Sequence, residues 1–196
     1  MQELIQIIEC LNEKDLDKIN AYVDKLPFSS NTVFGKENNT NVRKDIRSSN
    51  GCTLKDDSHI TDLIHKKMNE ALNEYQLRIA KVNDIFKYYP VIGGFDTVSH
   101  REGIQILDYE KNQEYKFHHD VSDDINSKEY NRHFSVLIYL KNAEKGGGTI
   151  FNHANFKPPA GNALIFPSNW CYPHSGEKVT KGKKRVAVTW YYVERA

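Results

Sequence analysis

HFSVLIYL, residues 133–140, is a continuous run of β-branched and aromatic side chains broken by a single serine. Such a run reads as a strand buried on both faces, because no alternate position is left for solvent. Working outward, the same grammar fills the second half of the chain. Upstream, residues 104–109 are apolar and β-prone, and residues 114–120 alternate. Downstream, Gly146, Gly147 and Gly148 turn the chain, residues 149–152 and 163–166 read as short strands, and RVAVTWYYV (185–193) closes the series. Many short strands between glycine and proline turns predict a sandwich or jelly roll.

The first half reads as helical. Asn12 and Asp15 resemble a capping box, and Leu16, Ile19, Val23 and Leu26 recur at helical spacing until Pro27 stops them. A second helix is expected at about residues 58–77, with Ile60, Leu63, Ile64, Met68, Ala71, Leu72 and Tyr75 on its apolar face. Between them, the polar, Asn-rich residues 29–58 read as a mobile loop with short extended pieces, a candidate lid over a substrate groove. Pro90, Gly93 and Gly94 mark a further turn. No linker divides the chain. The expectation is one domain over residues 1–196, with a helical part at 1–98 and a β core at 99–196.

With 39% hydrophobic and 27% charged residues, 196 residues suffice for one buried core. A net charge of +1 argues against a nucleic-acid partner. Cys10, Cys52 and Cys171 are widely spaced and form no CxxC pair, which argues against a zinc knuckle or disulfide framework and for a reducing, cytoplasmic setting. The N-terminus carries Glu3 and Glu9 within its apolar stretch, unlike a signal peptide, and no apolar run is long enough for a membrane span.

His118 and Asp120 stand two apart, so a regular strand projects both to one face and His119 to the other. With one distant histidine they would form a set of two imidazoles and a carboxylate. That set occupies three of six positions on Fe(II) and leaves three open. His-x-Asp alone is weak, since His100 and Glu102 make a similar pair and any one histidine reads first as a surface or hydrogen-bonded core residue.

The surrounding segments decide between them. YEKNQEYKFHHD (109–120) resembles the pattern Y-x-x-G-x-x-Y-x-x-H-x-D of prolyl 4-hydroxylase-like 2-oxoglutarate and Fe(II)-dependent dioxygenases, with Asn112 where the pattern has glycine. Asn tolerates the left-handed backbone, so that turn can survive. NRHFSVLIYLKNAEKGGGTIF (131–151), FKPPAGNALIF (156–166) and HSGEKVTKGKKRVAVTW (174–190) resemble further blocks of that family, in the same order. Arg47, Ser48, Ser49, Glu102 and Gln105 resemble its upstream landmarks, so the likeness covers about residues 45–193.

The resemblance implies an α+β fold: a double-stranded β-helix (jelly-roll, cupin-like) core with N-terminal helices packed on it. It implies Fe(II) held by His118, Asp120 and His174, with 2-oxoglutarate and O2 as co-substrates and ascorbate as reductant. Lys184, ten positions after His174, is the implied anchor for the far carboxylate of 2-oxoglutarate, with Arg185 as the alternative if the strand register slips by one. Tyr109 is implied as a hydroxyl donor to the same carboxylate. Tyr115 reads equally as pocket lining or core. Thr149 and Trp190 are expected to line the cavity, Trp190 more as packing than chemistry. Arg132 reads equally as a substrate contact or a structural salt bridge. The implied activity is hydroxylation of peptidyl proline with release of succinate and CO2, and the implied partner is a proline-containing peptide or protein, with no nucleic acid and no membrane. The expected assembly is a monomer or weak homodimer. The alternatives are the same chemistry on lysine, asparagine, a free amino acid or a small metabolite, and a non-catalytic β-sandwich binding module, which would have a broken triad or no anchor.

Overall fold

In a computed structural model, residues 2–34, 40–87, 101–122 and 124–192 are described. The run at 133–140 lies inside β8 (Arg132–Lys141), near the middle of the larger sheet. Before it along the chain come β1 (Gln6–Glu9), α1 (Glu13–Val23), β2 (Ser29–Ser30), β3 (Val33–Phe34), β4 (Thr40–Asn41), β5 (Asn50–Thr53), α2 (His59–Val82), β6 (Gln105–Tyr109) and β7 (Tyr115–His118). After it come β9 (Thr149–Phe151), β10 (Ala154–Phe156), β11 (Asn162–Pro167), β12 (His174–Gly176) and β13 (Lys184–Tyr192). The larger sheet has the order β1-β11-β8-β13-β6-β5-β2 and the smaller β10-β9-β12-β7, and all their pairings are antiparallel. β3 and β4 form a separate pair.

Two cores explain why β8 and β13 are apolar on both faces. Val136 and Ile138 of β8 and Ala187 and Tyr191 of β13 pack with the helices, in a core that includes Ile64, Met68, Leu72 and Tyr75 of α2. Leu137 and Tyr139 of β8 and Val186, Val188 and Trp190 of β13 face the other way, into a core shared with Phe151 and Phe166. The larger sheet is therefore covered by helices on one side and by the smaller sheet on the other. This is the expected jelly roll with helices packed on it.

Both helices start where the sequence places them. The Asn12 side chain accepts from the Asp15 N–H at 2.8 Å, and Ser58 Oγ accepts from the N–H groups of Ile60 and Thr61. α2 runs to Val82, past the expected end, because Ile79 continues the buried face one turn beyond Tyr75.

The N-terminal half is not only helical. β1 joins the larger sheet through β11, with Ile8 opposite Ala163. Four residues, the last of them the acidic Glu9, carry too little periodicity to mark a strand, so pairing decides it. Likewise β5 and β2, inside the segment read as a loop, extend the opposite edge, with Cys52 opposite Ile106. Gly51 allows this approach, since a Cβ there would lie 2.7 Å from the Ile106 carbonyl oxygen. Asn112 has φ of 70°, as its place in the turn before β7 requires. The turn expected at Pro90, Gly93 and Gly94 lies outside the described residues, as do His100 and Val193. Among the described residues, no helix is long and apolar enough to cross a membrane.

Candidate metal centre and anion pocket

β7 and β12 pair antiparallel with His118 directly opposite His174, so 55 intervening residues are closed into one cross-strand pair. The two ring centroids lie 4.4 Å apart. Asp120 completes the group: Oδ1 is 3.4 Å from His118 Nε2, and Oδ2 is 3.7 Å from His174 Nε2. Ligand atoms of all three residues lie within 4.8 Å of one another.

Asp120 does not share a regular strand with His118, although the spacing predicts one. β7 ends at His118, and Asp120 stands beyond it in a bend. Its N–H donates to the Ser168 carbonyl at 3.3 Å, and its own carbonyl accepts from Arg132 Nη1 at 2.8 Å. Because alternation stops at the strand end, His119 does not point cleanly away. It stays outside the cluster but lines the same cavity, with Nδ1 2.9 Å from the Val121 carbonyl.

The tautomers follow from the backbone. His118 Nδ1 faces the Lys116 carbonyl at 2.8 Å and His174 Nδ1 the Tyr172 carbonyl at 3.1 Å. A carbonyl only accepts, so each Nδ1 carries the proton and each Nε2 keeps its lone pair for the centre. Burial pushes His174 down to about 4, so its ring is neutral at physiological pH. Burial alone would raise the Asp120 carboxyl, but the facing imidazoles and the Ser135 hydroxyl outweigh it and hold the group below the usual carboxylate range. Two imidazole lone pairs and a carboxylate converge here without thiolate. That donor set fits a divalent iron ion held on one face.

Around the cluster the walls are aromatic. Tyr115 stacks on His118 at 3.7 Å, and Phe151 and Phe166 pack on His174. Arg47 lies over the outer face of Tyr115, 4.9 Å from its centroid. The cavity beside the cluster measures about 1040 Å³. It is lined by His118, Asp120, His174, Tyr109, Tyr115, Thr149, Lys184 and Trp190, so these residues singled out in the sequence reach one space.

Lys184 is 2% exposed and stands opposite Tyr109 in the β13–β6 register. Its Nζ donates to the Gly148 carbonyl at 3.2 Å and lies 5.2 and 5.0 Å from the rings of Tyr109 and Tyr139. Burial pushes its ammonium down to about 7, against the opposing pull of Glu177. Among the described residues no carboxylate forms an ion pair with it. A buried cation with one carbonyl partner fits the carboxylate of a small anion. Arg185 is not an alternative: it faces the helices, gripping Asp108 through two bonds of 2.7 and 2.8 Å and Asp24 through one of 2.7 Å.

Thr149 Oγ1 is bonded to Tyr139 OH at 2.7 Å. Arg132 grips Glu102 with two bonds of 2.5 and 2.6 Å and stacks 3.9 Å from the Trp190 ring. Glu102 is thus an ion-pair partner, not a metal ligand. The Trp190 indole N–H is buried without a hydrogen-bond partner among the described residues. Sequence reading missed Ser135, Ser168 and Tyr139. A signal existed for Ser135, the one serine in an otherwise apolar strand.

An antiparallel jelly roll here presents two histidines and a carboxylate beside a buried lysine, a donor set that could receive a metal ion and a cation that could receive a small carboxylate. Residues 104–192 match the family model of the 2OG-Fe(II) oxygenase superfamily. A putative prolyl 4-hydroxylase of Acanthamoeba polyphaga mimivirus is 35% identical over 61% of this chain and 57% of its own length. A probable prolyl 4-hydroxylase of Arabidopsis thaliana is 31% identical over 50% of this chain and 45% of its own. The chain therefore spans about half the length of these curated relatives. Among solved structures, a viral collagen prolyl hydroxylase from Paramecium bursaria Chlorella virus-1, in complex with 2OG, superposes with a TM-score of 0.67 at 21% identity over 98% of this chain and 97% of that one. A Trichoplax adhaerens prolyl hydroxylase, in complex with a peptide fragment of the hypoxia inducible factor oxygen degradation domain, gives 0.66 at 19% identity over 97% and 84%. These likenesses establish the fold.

Proposed function

We propose that this chain is a 2-oxoglutarate- and Fe(II)-dependent dioxygenase that hydroxylates peptidyl proline, releasing succinate and CO2. One observation carries the reading: a single cavity holds both the His118, Asp120, His174 cluster and the buried Lys184. His118, Asp120 and His174 would hold the iron. When bound, the metal supplies chelation of the keto acid and activation of O2.

The chain's own groups supply binding, orientation and exclusion of water. The Lys184 ammonium takes the far carboxylate of 2-oxoglutarate, and the Tyr109 hydroxyl donates to the same group. Thr149 and Trp190 shape the wall around the co-substrate, and Tyr115, stacked on His118, separates the cluster from Arg47 at the rim. Phe151 and Phe166 keep water from the back of His174. Residues of β2 and β5, with Arg47, line the outer cavity and form the wall a peptide would meet. The proline assignment rests on the relatives, which are named prolyl 4-hydroxylases. The three cysteines are free, which supports a reducing, cytoplasmic setting.

The test is succinate formation by the Fe(II)-reconstituted protein with 2-oxoglutarate, O2 and ascorbate, with and without a proline-rich peptide. Peptide-stimulated turnover, with one oxygen atom added to proline, is the expected result. Turnover indifferent to the peptide would move the substrate to lysine, asparagine, a free amino acid or a small metabolite. No turnover and no bound metal would mean a binding module.

A further inference from the structure

Strand β8 keeps one hydroxyl among its apolar side chains, and that hydroxyl has a defined job. Ser135 is 0% exposed and Ser168, at the end of β11, is 1% exposed. Ser135 Oγ lies 2.5 Å from Asp120 Oδ2 and 2.9 Å from Ser168 Oγ. An ionised carboxylate only accepts, so the Ser135 proton points to Asp120. The Ser168 proton must then point to Ser135. The relay has one polarity, from Ser168 through Ser135 to Oδ2. Oδ1 takes no part in the relay and faces His118 Nε2 at 3.4 Å, while Oδ2 lies farther from its imidazole, 3.7 Å from His174 Nε2. The Asp120 backbone is pinned on both sides by Ser168 and Arg132.

We propose that Ser135, backed by Ser168, is a positioning residue that holds Asp120 as a one-oxygen ligand through Oδ1. The inference rests on the metal reading of His118, Asp120 and His174 and goes one step beyond it. A carboxylate whose second oxygen accepts a short, charge-assisted hydrogen bond cannot turn to offer both oxygens to a cation. The difference matters for the site. A two-oxygen aspartate would take a fourth of six positions, leaving too few for a chelating keto acid together with O2. A buried hydroxyl in an apolar strand is costly unless it is bonded, and here both of its bonds run toward the ligand.

The experiment titrates Co(II), as the probe metal, into the metal-free full chain. It reads affinity, the visible absorption spectrum and the thermal midpoint before metal is added. Ser135→Ala is expected to bind Co(II) about 10–100-fold more weakly, with an altered spectrum. Ser135→Thr, which keeps the hydroxyl, is expected to restore both, and Ser168→Ala to show a smaller loss of the same sign. Wild-type affinity and spectrum in Ser135→Ala would overturn the proposal, as would a change confined to the thermal midpoint, which marks packing alone. If Ser135→Ala does not fold, Ser168→Ala decides, and unchanged Co(II) binding there overturns the proposal. Failure of the wild-type chain to bind Co(II) would overturn the metal reading instead.

Discussion

Lys184 carries its ammonium into a wall of Tyr109, Tyr139 and the Gly148 carbonyl, where burial pushes it down to about 7. The charged form is the one that binds a carboxylate. In the empty cavity it is fully present below about pH 7 and lost above, while a bound anion raises the pKa again. Between those two values the complex holds one more proton than the free protein. Affinity for 2-oxoglutarate is therefore expected to fall about tenfold per pH unit above neutrality and to be flat below it. Calorimetric titration across that range, in buffers of different ionisation heat, checks both the slope and the proton uptake. A pH-independent affinity would contradict the assignment. Lys184→Met is expected to lose the slope and to weaken binding about 10–100-fold, the worth of a charged hydrogen bond. At the cluster, His174→Ala or Asp120→Ala is expected to abolish succinate formation. Normal turnover in either variant would remove it from the ligand set.

Elements place these residues by register. A one-residue slip in β13 would turn Lys184 toward the helices and Arg185 into the cavity, and it would break the Arg185 ion pairs with Asp108 and Asp24 that hold the register. The β7–β12 pair does the same for the two histidines. β1 completes the larger sheet with Ile8 in the helix-side core. Ile8→Ala is expected to destabilise by about 2–4 kcal/mol, measured as a shift in urea midpoint at constant slope. Ser58→Ala removes the α2 cap and is expected to cost about 1 kcal/mol in the same measurement. An Ile8 variant with wild-type stability would mean that β1 is a loosely held edge.

At the scale of the whole molecule, the cavity lies between two sheets that close only in the folded state, so its ligands are linked to folding. At about 100 times its dissociation constant, a ligand adds about 2.7 kcal/mol. Metal and 2-oxoglutarate together are expected to raise the thermal midpoint, and the metal's share should vanish in His174→Ala. β2, β5 and Arg47 line the outer cavity, so a proline-rich peptide is expected to slow proteolysis within residues 29–58. Cleavage unaffected by the peptide would place the peptide elsewhere.

The sequence by itself determined the jelly roll, both helix starts and the residues of the candidate site. Those signals are local: the continuous apolar runs of β8 and β13, the capping pair of Asn12 and Asp15, and the spacing of His118, Asp120, His174 and Lys184 in the family blocks. Only the tertiary structure decided the rest. β1, β2, β5 and β12 are two to four residues long, too short for periodicity to show, and they exist because a neighbour pairs with them. Lys184 and Arg185 are adjacent cations in the chain, and only the side of the sheet each faces puts one in the cavity and makes the other a clasp to α1. The partners of Arg132 and Ser135 lie 12 to 33 residues away, so what those side chains hold is visible only once the chain has closed around Asp120.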